Sequence, residues 1–136
     1  MNISPKIKCI LFDLGGVVIN IDWKRSVHAF SKLTGNTFDD LNSTMRKFEL
    51  VQKIEIGAIS SDGFRKWFKE YYNSDFEDEA IDSAWNNMLL DIPKPRIDII
   101  QQLKSEYQIM CLSNTNEIHI KEFNNRLKTS YGIHNL

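Results

Sequence analysis

The sequence predicts an α/β fold in which a short parallel sheet is interrupted by an all-helical insertion. Two apolar runs, residues 7–12 and 107–112, are short and rich in Ile and Leu, as is typical of parallel strands covered on both faces. Residues 23–91, between these runs, carry apolar side chains at helical spacing almost throughout. The chain is therefore expected to run from a strand through a helical insertion to a helix, a second strand and a last helix.

Four amphipathic helices are predicted in the insertion. Their apolar residues recur three or four positions apart, which places them on one side of each helix. These residues are, helix by helix, Val27, Phe30 and Leu33; Phe38, Leu41, Met45 and Phe48; Phe64, Trp67, Phe68 and Tyr71; and Ala80, Ile81, Ala84, Trp85, Met88 and Leu89. We expect these stripes to pack against one another rather than to line a ligand site.

Helices are also predicted on either side of the second strand. Pro95 suits the first turn of a helix that continues to Lys104. A further helix is expected over residues 117–127, with Asn114 or Asn116 as its N-cap. The first turn of such a helix directs free backbone N–H groups at the end of the strand.

Composition and charge exclude several classes of function. The 136 residues are 42% hydrophobic and 26% charged, with a net charge of −1, which is typical of a globular domain and gives no electrostatic reason to bind nucleic acid. No apolar segment approaches the roughly 20 residues of a membrane span. Asp13 ends the N-terminal apolar stretch too early for a signal peptide. We therefore expect a cytoplasmic protein with no nucleic-acid or membrane partner.

The two cysteines, Cys9 and Cys111, each lie inside an apolar run. They are predicted to be buried free thiols in a reducing compartment. We expect Asp13 and Ser113 to end the two strands level with one another. The two thiols are then offset by two residues, about 6–7 Å along the strand, so no disulfide is expected.

Polar residues follow both predicted strands at the point where each strand ends. Asp13 follows the first strand and precedes Gly15 and Gly16, whereas Ser113 and Asn114 follow the second strand. A carboxylate just past a buried strand is costly without a partner or a cation, and adjacent glycines let the backbone approach a ligand closely. Hydroxyl and amide donors at the start of a helix suit a phosphate oxygen. The carboxyl end of the sheet is therefore the predicted ligand site.

The sequence resembles the haloacid dehalogenase superfamily of hydrolases in two motifs and in their order. The first motif of that family is an apolar strand followed by D-x-D-G-T/V, and residues 11–17 are LFDLGGV. The second motif is an apolar strand ending in Ser or Thr, and residues 109–114 are IMCLSN. The helical insertion is similar to the family's cap, and residues 55–60, EIGAIS, are similar to cap sequences of this group.

This resemblance implies a partial Rossmann-like parallel sheet core with an inserted all-helical cap. The core is expected over residues 1–19 and 93–136, and the cap over residues 20–92. In the family the first strand is central, whereas here it would have an open apolar edge, which invites pairing with another chain. A homodimer through the open sheet edge is therefore one expected interaction.

The resemblance also implies a magnesium-dependent phosphatase that acts on a small phosphorylated metabolite. In the family the first aspartate forms a covalent intermediate that water later hydrolyses, so Asp13 is the expected nucleophile and a Mg²⁺ ligand. The backbone carbonyl of Gly15 is expected to be a second metal ligand. Ser113 and Asn114 are expected to bind the phosphoryl group, and Trp23 to influence substrate specificity. Residues 12–15 are FDLG, and the first motif of a sugar-phosphate-phosphatase-like subgroup of the family begins in a similar way.

Two departures from the family pattern leave other functions open. Gly15 stands where the family's phosphatases usually have a second aspartate, the general acid/base, which is typically worth about 10²–10⁴-fold in rate. The third-motif lysine and the fourth-motif acidic residues have no match in the residues after Ser113, so the chain is expected to be truncated. The alternatives are a 2-haloacid-type dehalogenase, whose leaving halide needs no proton, and a non-catalytic remnant or interaction module.

Overall fold

The computed structural model describes residues 6–134, which contain one two-stranded parallel sheet. Strand β1 (Cys9–Phe12) pairs with strand β2 (Gln108–Cys111). The N–H of Leu112 donates to the carbonyl of Phe12 at 2.9 Å, which continues the pairing past the end of β2. Because the strands are parallel, their carboxyl ends lie at the same end of the sheet.

The two strands are more exposed than the sequence pattern predicts. Leu11 is 56% exposed, Met110 is 49% exposed and Leu112 is 69% exposed. Leu11 and Met110 are register partners, so they lie on the same face of the sheet. The prediction that both faces are covered is wrong for the described residues, because no described element packs closely on the face that carries these side chains.

Both cysteines are free, and both are exposed rather than buried. Cys9 lies two residues before Leu11 and therefore shares its uncovered face of the sheet. The prediction of buried thiols is wrong for both residues: Cys9 lies on the uncovered face, whereas Cys111 lies on the opposite face, level with Phe12, and is exposed at the end of β2. Apolar neighbours in sequence do not bury a side chain unless a second layer covers the sheet.

The strand register differs by one residue from the predicted one. Cys111 lies opposite Phe12, so Leu112, and not Ser113, comes level with Asp13. Register depends on how the paired strands match their side chains across the sheet. The positions at which two polar segments begin do not determine it.

The described residues form seven helices, most of which begin at a polar cap or at a proline. Their bounds are α1 (Trp23–Thr34), α2 (Phe38–Lys47), α3 (Leu50–Glu55), α4 (Ser61–Tyr71), α5 (Asp78–Asn86), α6 (Lys94–Leu103) and α7 (Glu117–Tyr131). The side chains of Asp22, Thr37 and Ser60 accept first-turn N–H groups of α1, α2 and α4, as N-caps do. Each helix between residues 6 and 134 is too short or too polar to span a bilayer.

One helix of the insertion is absent from the sequence prediction. Helix α3 begins after Glu49, whose φ of 51° lies in the left-handed region, and it buries only Leu50 and Ile54. A six-residue segment with apolar residues only at positions 50, 51 and 54 is too short to establish helical periodicity. Five helices rather than four therefore lie between residues 20 and 92.

The chain divides into two compact units. The first, the sheet unit, contains the described residues up to Ile21, Leu90–Ser113, and those from Asn124 onward. The second, the helical unit, contains Asp22–Leu89 and Asn114–Phe123. The expected division into a core (1–19 and 93–136) and a cap (20–92) stays a prediction.

The helical unit has a largely aromatic core. Phe30, Phe64, Phe68 and Trp85 are all completely buried. The ring centroids of Phe30 and Phe68 are 4.7 Å apart, and those of Phe64 and Trp85 are 5.3 Å apart, within the range of favourable aromatic pairs. The aromatic stripes of the sequence thus serve packing between helices.

Candidate active site

Asp13 directly follows β1 and presents an exposed carboxylate at the carboxyl end of the sheet. Its Oδ1 atom accepts a hydrogen bond from the backbone N–H of Leu14 at 2.6 Å. This hydrogen bond joins the side chain of Asp13 to the backbone of the next residue, so it restricts the orientation of the carboxylate. Asp13 is therefore available to a ligand in an already restricted orientation.

Most backbone hydrogen bonds in the turn after Asp13 go to one carbonyl oxygen. The carbonyl of Leu14 accepts N–H groups from Val17, Val18 and Ile19 at 3.2, 2.8 and 3.0 Å, and the N–H of Gly16 donates to the carbonyl of Ile19 at 2.8 Å. Val18 and Ile19 are buried, so their side chains anchor the turn. Gly16 has a φ of 76°, a conformation that favours glycine.

Gly15 differs from its neighbour because its backbone does not require glycine. Its φ lies outside the left-handed region, and a Cβ atom there would lie 3.3 Å from Cδ1 of Ile21. That atom is the end of a flexible and exposed side chain. Local sterics therefore permit a larger residue at position 15, and the lack of a carboxylate there is not imposed by the turn.

Ser113 lies two residues past β2 and is partly buried. The hydrogen bond between Leu112 and Phe12 holds the segment that leads to Ser113 beside β1. The structure thus brings Asp13, Gly15 and Ser113 to the same end of the sheet, within the sheet unit. A carboxylate, a backbone carbonyl and a hydroxyl group are the functional groups at this end.

A thiol completes the electrostatic surroundings of Asp13. Although Cys111 is largely exposed, partial desolvation by its neighbours raises the pKa of its thiol, and the negative charge of Asp13 raises it further. The thiol therefore remains protonated near neutral pH and adds no second negative charge beside the carboxylate. A phosphate dianion approaching Asp13 meets less repulsion than a thiolate would cause.

The other two predicted site residues belong to the helical unit. Asn114 is exposed. Trp23 is the first residue of α1, and its ring meets that of Trp85 edge-on, with centroids 5.8 Å apart. The phosphate-binding role of Asn114 and the specificity role of Trp23 stay predictions.

A buried polar cluster in the helical unit has no counterpart among the sequence predictions. Asn116 caps α7, because its Oδ1 atom accepts the N–H of His119 at 3.0 Å, and its Nδ2 atom lies 3.1 Å from Nδ1 of His119. The other ring nitrogen of His119, Nε2, lies 3.3 Å from the carbonyl of Trp85. The two aromatic rings stack with centroids 5.0 Å apart. The spacing Asn-x-x-His is the signal that could have indicated this cluster.

The geometry of this cluster fits a neutral imidazole. Burial lowers the pKa of His119 to about 4, although the hydrogen bond to the Trp85 carbonyl opposes the shift. Nδ1 then accepts from the Asn116 amide, and Nε2–H donates to the carbonyl of Trp85. Ser26 also donates to this carbonyl at 2.6 Å. The cluster therefore connects α1, α5 and the start of α7.

Metal-binding side chains are sparse in the described part of the chain. Between residues 6 and 134, no three His, Cys, Asp or Glu side chains are placed to hold one metal ion. Within the candidate site, the oxygen groups expected to bind a metal are the carboxylate of Asp13 and the carbonyl of Gly15. Such hard oxygen donors suit Mg²⁺ rather than zinc or copper.

No protein-family model matches the chain. The chain is 33% identical over 110 residues to D-ribitol-5-phosphate phosphatase of Bacteroides thetaiotaomicron, a match that spans 81% of the chain and 53% of that protein. A crystal structure of a haloacid dehalogenase (HAD) family enzyme from the same organism superposes on the chain with a TM-score of 0.80 and 35% sequence identity. The superposition covers 88% of the chain and 59% of that enzyme. The chain belongs to the haloacid dehalogenase superfamily.

Two further solved structures extend the HAD comparison. The same B. thetaiotaomicron enzyme in complex with magnesium and inorganic phosphate has a TM-score of 0.75 and 36% identity, over 88% of the chain and 59% of the enzyme. A HAD-like hydrolase from Porphyromonas gingivalis has a TM-score of 0.74 and 27% identity, over 85% of the chain and 55% of the other. The predicted fold class is thus confirmed, and the chain spans about half the length of the D-ribitol-5-phosphate phosphatase.

Proposed function

We propose that this chain supplies the nucleophile and part of the phosphate-binding site of a Mg²⁺-dependent phosphatase. The observation that carries the proposal is the placement of Asp13 and Ser113 after neighbouring parallel strands, at one end of the sheet. The phosphatase relative supports it, since that protein acts on a small phosphorylated polyol. The proposed substrate class is accordingly a small phosphorylated metabolite of the polyol or sugar type.

In the proposed reaction, an oxygen of the Asp13 carboxylate attacks the phosphorus atom of a phosphate monoester. A bond forms between Asp13 and phosphorus, and the bond from phosphorus to the ester oxygen breaks, so the alcohol leaves with the electron pair and takes up a proton. Water then attacks the aspartyl phosphate and releases inorganic phosphate, which regenerates the carboxylate. The bond between Asp13 and the Leu14 N–H keeps the carboxylate oriented for the first step.

The hydroxyl of Ser113 is the proposed donor to a phosphoryl oxygen. Its place just past β2 puts it at the same end of the sheet as Asp13. Asn114, the next residue, is proposed to assist through its amide or its backbone N–H. Donors of this kind stabilise the charge that develops on the phosphoryl oxygens.

The donors at the site fit Mg²⁺ as a partial ligand set. Mg²⁺ usually takes one or two protein carboxylates and completes its coordination with water and substrate phosphate. The carboxylate of Asp13 and the carbonyl of Gly15 would hold the ion. When bound, Mg²⁺ supplies positive charge that reduces the repulsion between the carboxylate and the phosphate.

Proton transfer to the leaving alcohol is the step for which this chain offers no proposed residue. Gly15 has no side chain, so water or a group outside the described residues must provide that proton. A slow reaction with poor leaving groups is therefore expected. Aryl phosphates, whose leaving groups need little protonation, are the appropriate first substrates.

The test compares the 136-residue chain with its Asp13→Asn variant. We expect the chain to bind beryllium fluoride, a mimic of the aspartyl phosphate, in the presence of Mg²⁺, as detected by ¹⁹F NMR, and to release phosphate from p-nitrophenyl phosphate. Asp13→Asn should lose both properties, whereas Asp39→Asn, which changes an exposed acid in the first turn of α2, should retain them.

Two results would contradict this assignment. An active Asp13→Asn variant excludes Asp13 as the nucleophile. A chain that neither binds beryllium fluoride nor releases phosphate has no phosphatase site of its own, and a role as an interaction module would then be favoured. The sparse metal ligands between residues 6 and 134 are the observation that keeps this second function in view.

A further inference from the structure

The segment that leads from Ser113 into helix α7 gains little support from its own hydrogen bonds. Asn114 is exposed, and within residues 6–134 neither Asn114 nor Thr115 makes a hydrogen bond. The next residue, Asn116, is only 6% exposed and accepts a backbone N–H of α7. The conformation of Asn114 therefore depends on how Asn116 is held.

His119 holds the side-chain amide of Asn116 in one orientation. The Oδ1 atom of Asn116 accepts the backbone N–H of His119 at 3.0 Å, and its Nδ2 atom lies 3.1 Å from Nδ1 of the imidazole. A flipped amide would place a donor against the N–H of His119 and an acceptor against a ring nitrogen that itself accepts. Both side chains are buried, so both contacts are shielded from water.

The imidazole is itself held by the end of helix α5. Its Nε2 atom lies 3.3 Å from the carbonyl of Trp85, and its ring stacks on the indole with the two planes 13° apart. This carbonyl belongs to the last turn of α5, where carbonyls lack partners within the helix, and Ser26 also donates to it at 2.6 Å. Hydrogen bonds thus run without a gap from Ser26 to Asn116, and a buried network of this kind is rigid.

We propose that His119 is a positioning residue that directs the side-chain amide of Asn114 toward a phosphoryl oxygen. Trp85 holds the imidazole, the imidazole holds the amide of Asn116, and Asn116 sets the path of the two residues before it. The inference rests on the proposed function, which gives the Asn114 amide a phosphoryl oxygen as its acceptor. His119 itself does not touch the substrate and transfers no proton.

A purely structural role is the competing explanation for this cluster. A phenyl ring at position 119 would stack on Trp85 without the cost of burying polar groups, so packing alone does not require an imidazole. Hydrogen bonds are directional, and the imidazole therefore adds a fixed orientation of Asn116 that a phenyl ring lacks. Positioning predicts that His119→Phe changes Asn114 locally, whereas packing predicts only a general loss of stability.

The first measurement is the backbone ¹⁵N order parameter of Asn114 and Thr115 in the 136-residue chain without ligand. We expect values of about 0.85, typical of rigid backbone, and a fall below about 0.6 in His119→Phe. The controls are Leu41→Ala and Ile81→Val, which remove completely buried apolar atoms of the helical unit but no hydrogen bond. Both controls should leave the two order parameters unchanged.

A second variant serves if circular dichroism shows that His119→Phe does not fold. Asn116→Ser keeps an oxygen that can cap α7, but it removes the amide that contacts the imidazole. The same fall in the order parameters of Asn114 and Thr115 is expected.

The second measurement is the affinity for beryllium fluoride in the presence of Mg²⁺, followed by ¹⁹F NMR. Asn114→Ala and His119→Phe should each weaken binding about tenfold, as expected for the loss of one hydrogen bond to a charged group. The double variant should bind no more weakly than either single variant, because His119 acts only through Asn114. Leu41→Ala and Ile81→Val should bind as the wild type does.

Four results would overturn the proposal. They are unchanged order parameters in a folded His119→Phe variant, wild-type affinity in Asn114→Ala, losses that add in the double variant, and equal weakening in Leu41→Ala. A wild-type chain that binds no beryllium fluoride contradicts the proposed function instead. The order parameters alone then decide whether His119 holds Asn114.

Discussion

The helical unit and the sheet unit place their apolar residues very differently. The helical unit buries its large aromatic side chains completely, as Phe30, Phe64 and Trp85 show. The sheet unit leaves Leu11 and Leu112 exposed, although they lie in runs that are just as apolar in sequence. Five short helices can cover one another on several sides, whereas a sheet of two strands buries a face only when another layer covers it. Apolar sequence thus produces a core only where enough neighbouring elements exist.

The largest expected effect tests the helical side of this comparison. Phe64→Ala should lower the free energy of unfolding by about 3–5 kcal/mol, because it removes a completely buried ring and leaves a cavity. Urea unfolding followed by circular dichroism at the helical wavelength measures the change. Ile56→Ala, at an exposed apolar position, is the matched control and should cost less than about 0.5 kcal/mol. Equal losses in the two variants would contradict the assignment of the core.

The next effect concerns the pH dependence of the buried cluster in the helical unit. The pKa of His119 falls from an ordinary 6.5 to about 4 on folding, so between these values the unfolded chain binds a proton that the folded chain excludes. The contribution of His119 to stability is therefore complete above about pH 6.5 and is lost as the pH falls toward about pH 4, a loss of roughly 3 kcal/mol.

Replacing the imidazole isolates this contribution from the carboxylates that titrate in the same range. His119→Phe keeps an aromatic ring for stacking on Trp85 and removes the titrating group. The difference in unfolding free energy between the wild type and this variant should shrink between neutral pH and pH near 4. Parallel stability curves for the two proteins would show that His119 does not titrate on unfolding.

A smaller effect is expected in the turn of the sheet unit. Gly15→Asp should change the free energy of unfolding by less than about 1 kcal/mol, because the new Cβ meets only the flexible end of Ile21. Gly16→Asp should cost more, since the φ of 76° is unfavourable for residues with a side chain. Thermal unfolding of the two variants compares them directly. If Gly15→Asp also raises phosphate release, proton donation limits the proposed reaction.

The smallest effect is expected on the uncovered face of the sheet. Leu11→Thr should change stability by less than about 0.5 kcal/mol, because its side chain is already largely in contact with water. Urea unfolding of the 136-residue chain is the measurement. A loss above about 2 kcal/mol would show that this face is covered in solution, and sedimentation equilibrium would then show whether a second copy covers it.

Local patterns in the sequence were sufficient for much of the fold and for the placement of two candidate site residues at one end of the sheet. Helical periodicity placed the stripe of Phe64 and Phe68, and two apolar runs placed both strands. The strand ends indicated Asp13 and Ser113, since carboxyl ends of parallel strands meet at one end of a sheet.

Features that depend on tertiary contacts escaped prediction. The exposure of Leu11 and the one-residue shift in register depend on what packs on the sheet and how its strands pair. Helix α3 is too short to show a period. The hydrogen bond of His119 to the carbonyl of Trp85 joins residues far apart in sequence, and no local pattern contains that information.

The adjacent glycines after Asp13 impose unequal limits on how this sequence can diverge. Gly16 adopts a φ of 76°, so exchange for almost any other residue strains the turn. Gly15 has a φ outside the left-handed region, and a Cβ there would meet only a flexible side chain. A lineage descended from this chain can therefore vary the residue two positions after the nucleophile, and with it the chemistry of the site, while the glycine beside it stays fixed by the geometry of the turn.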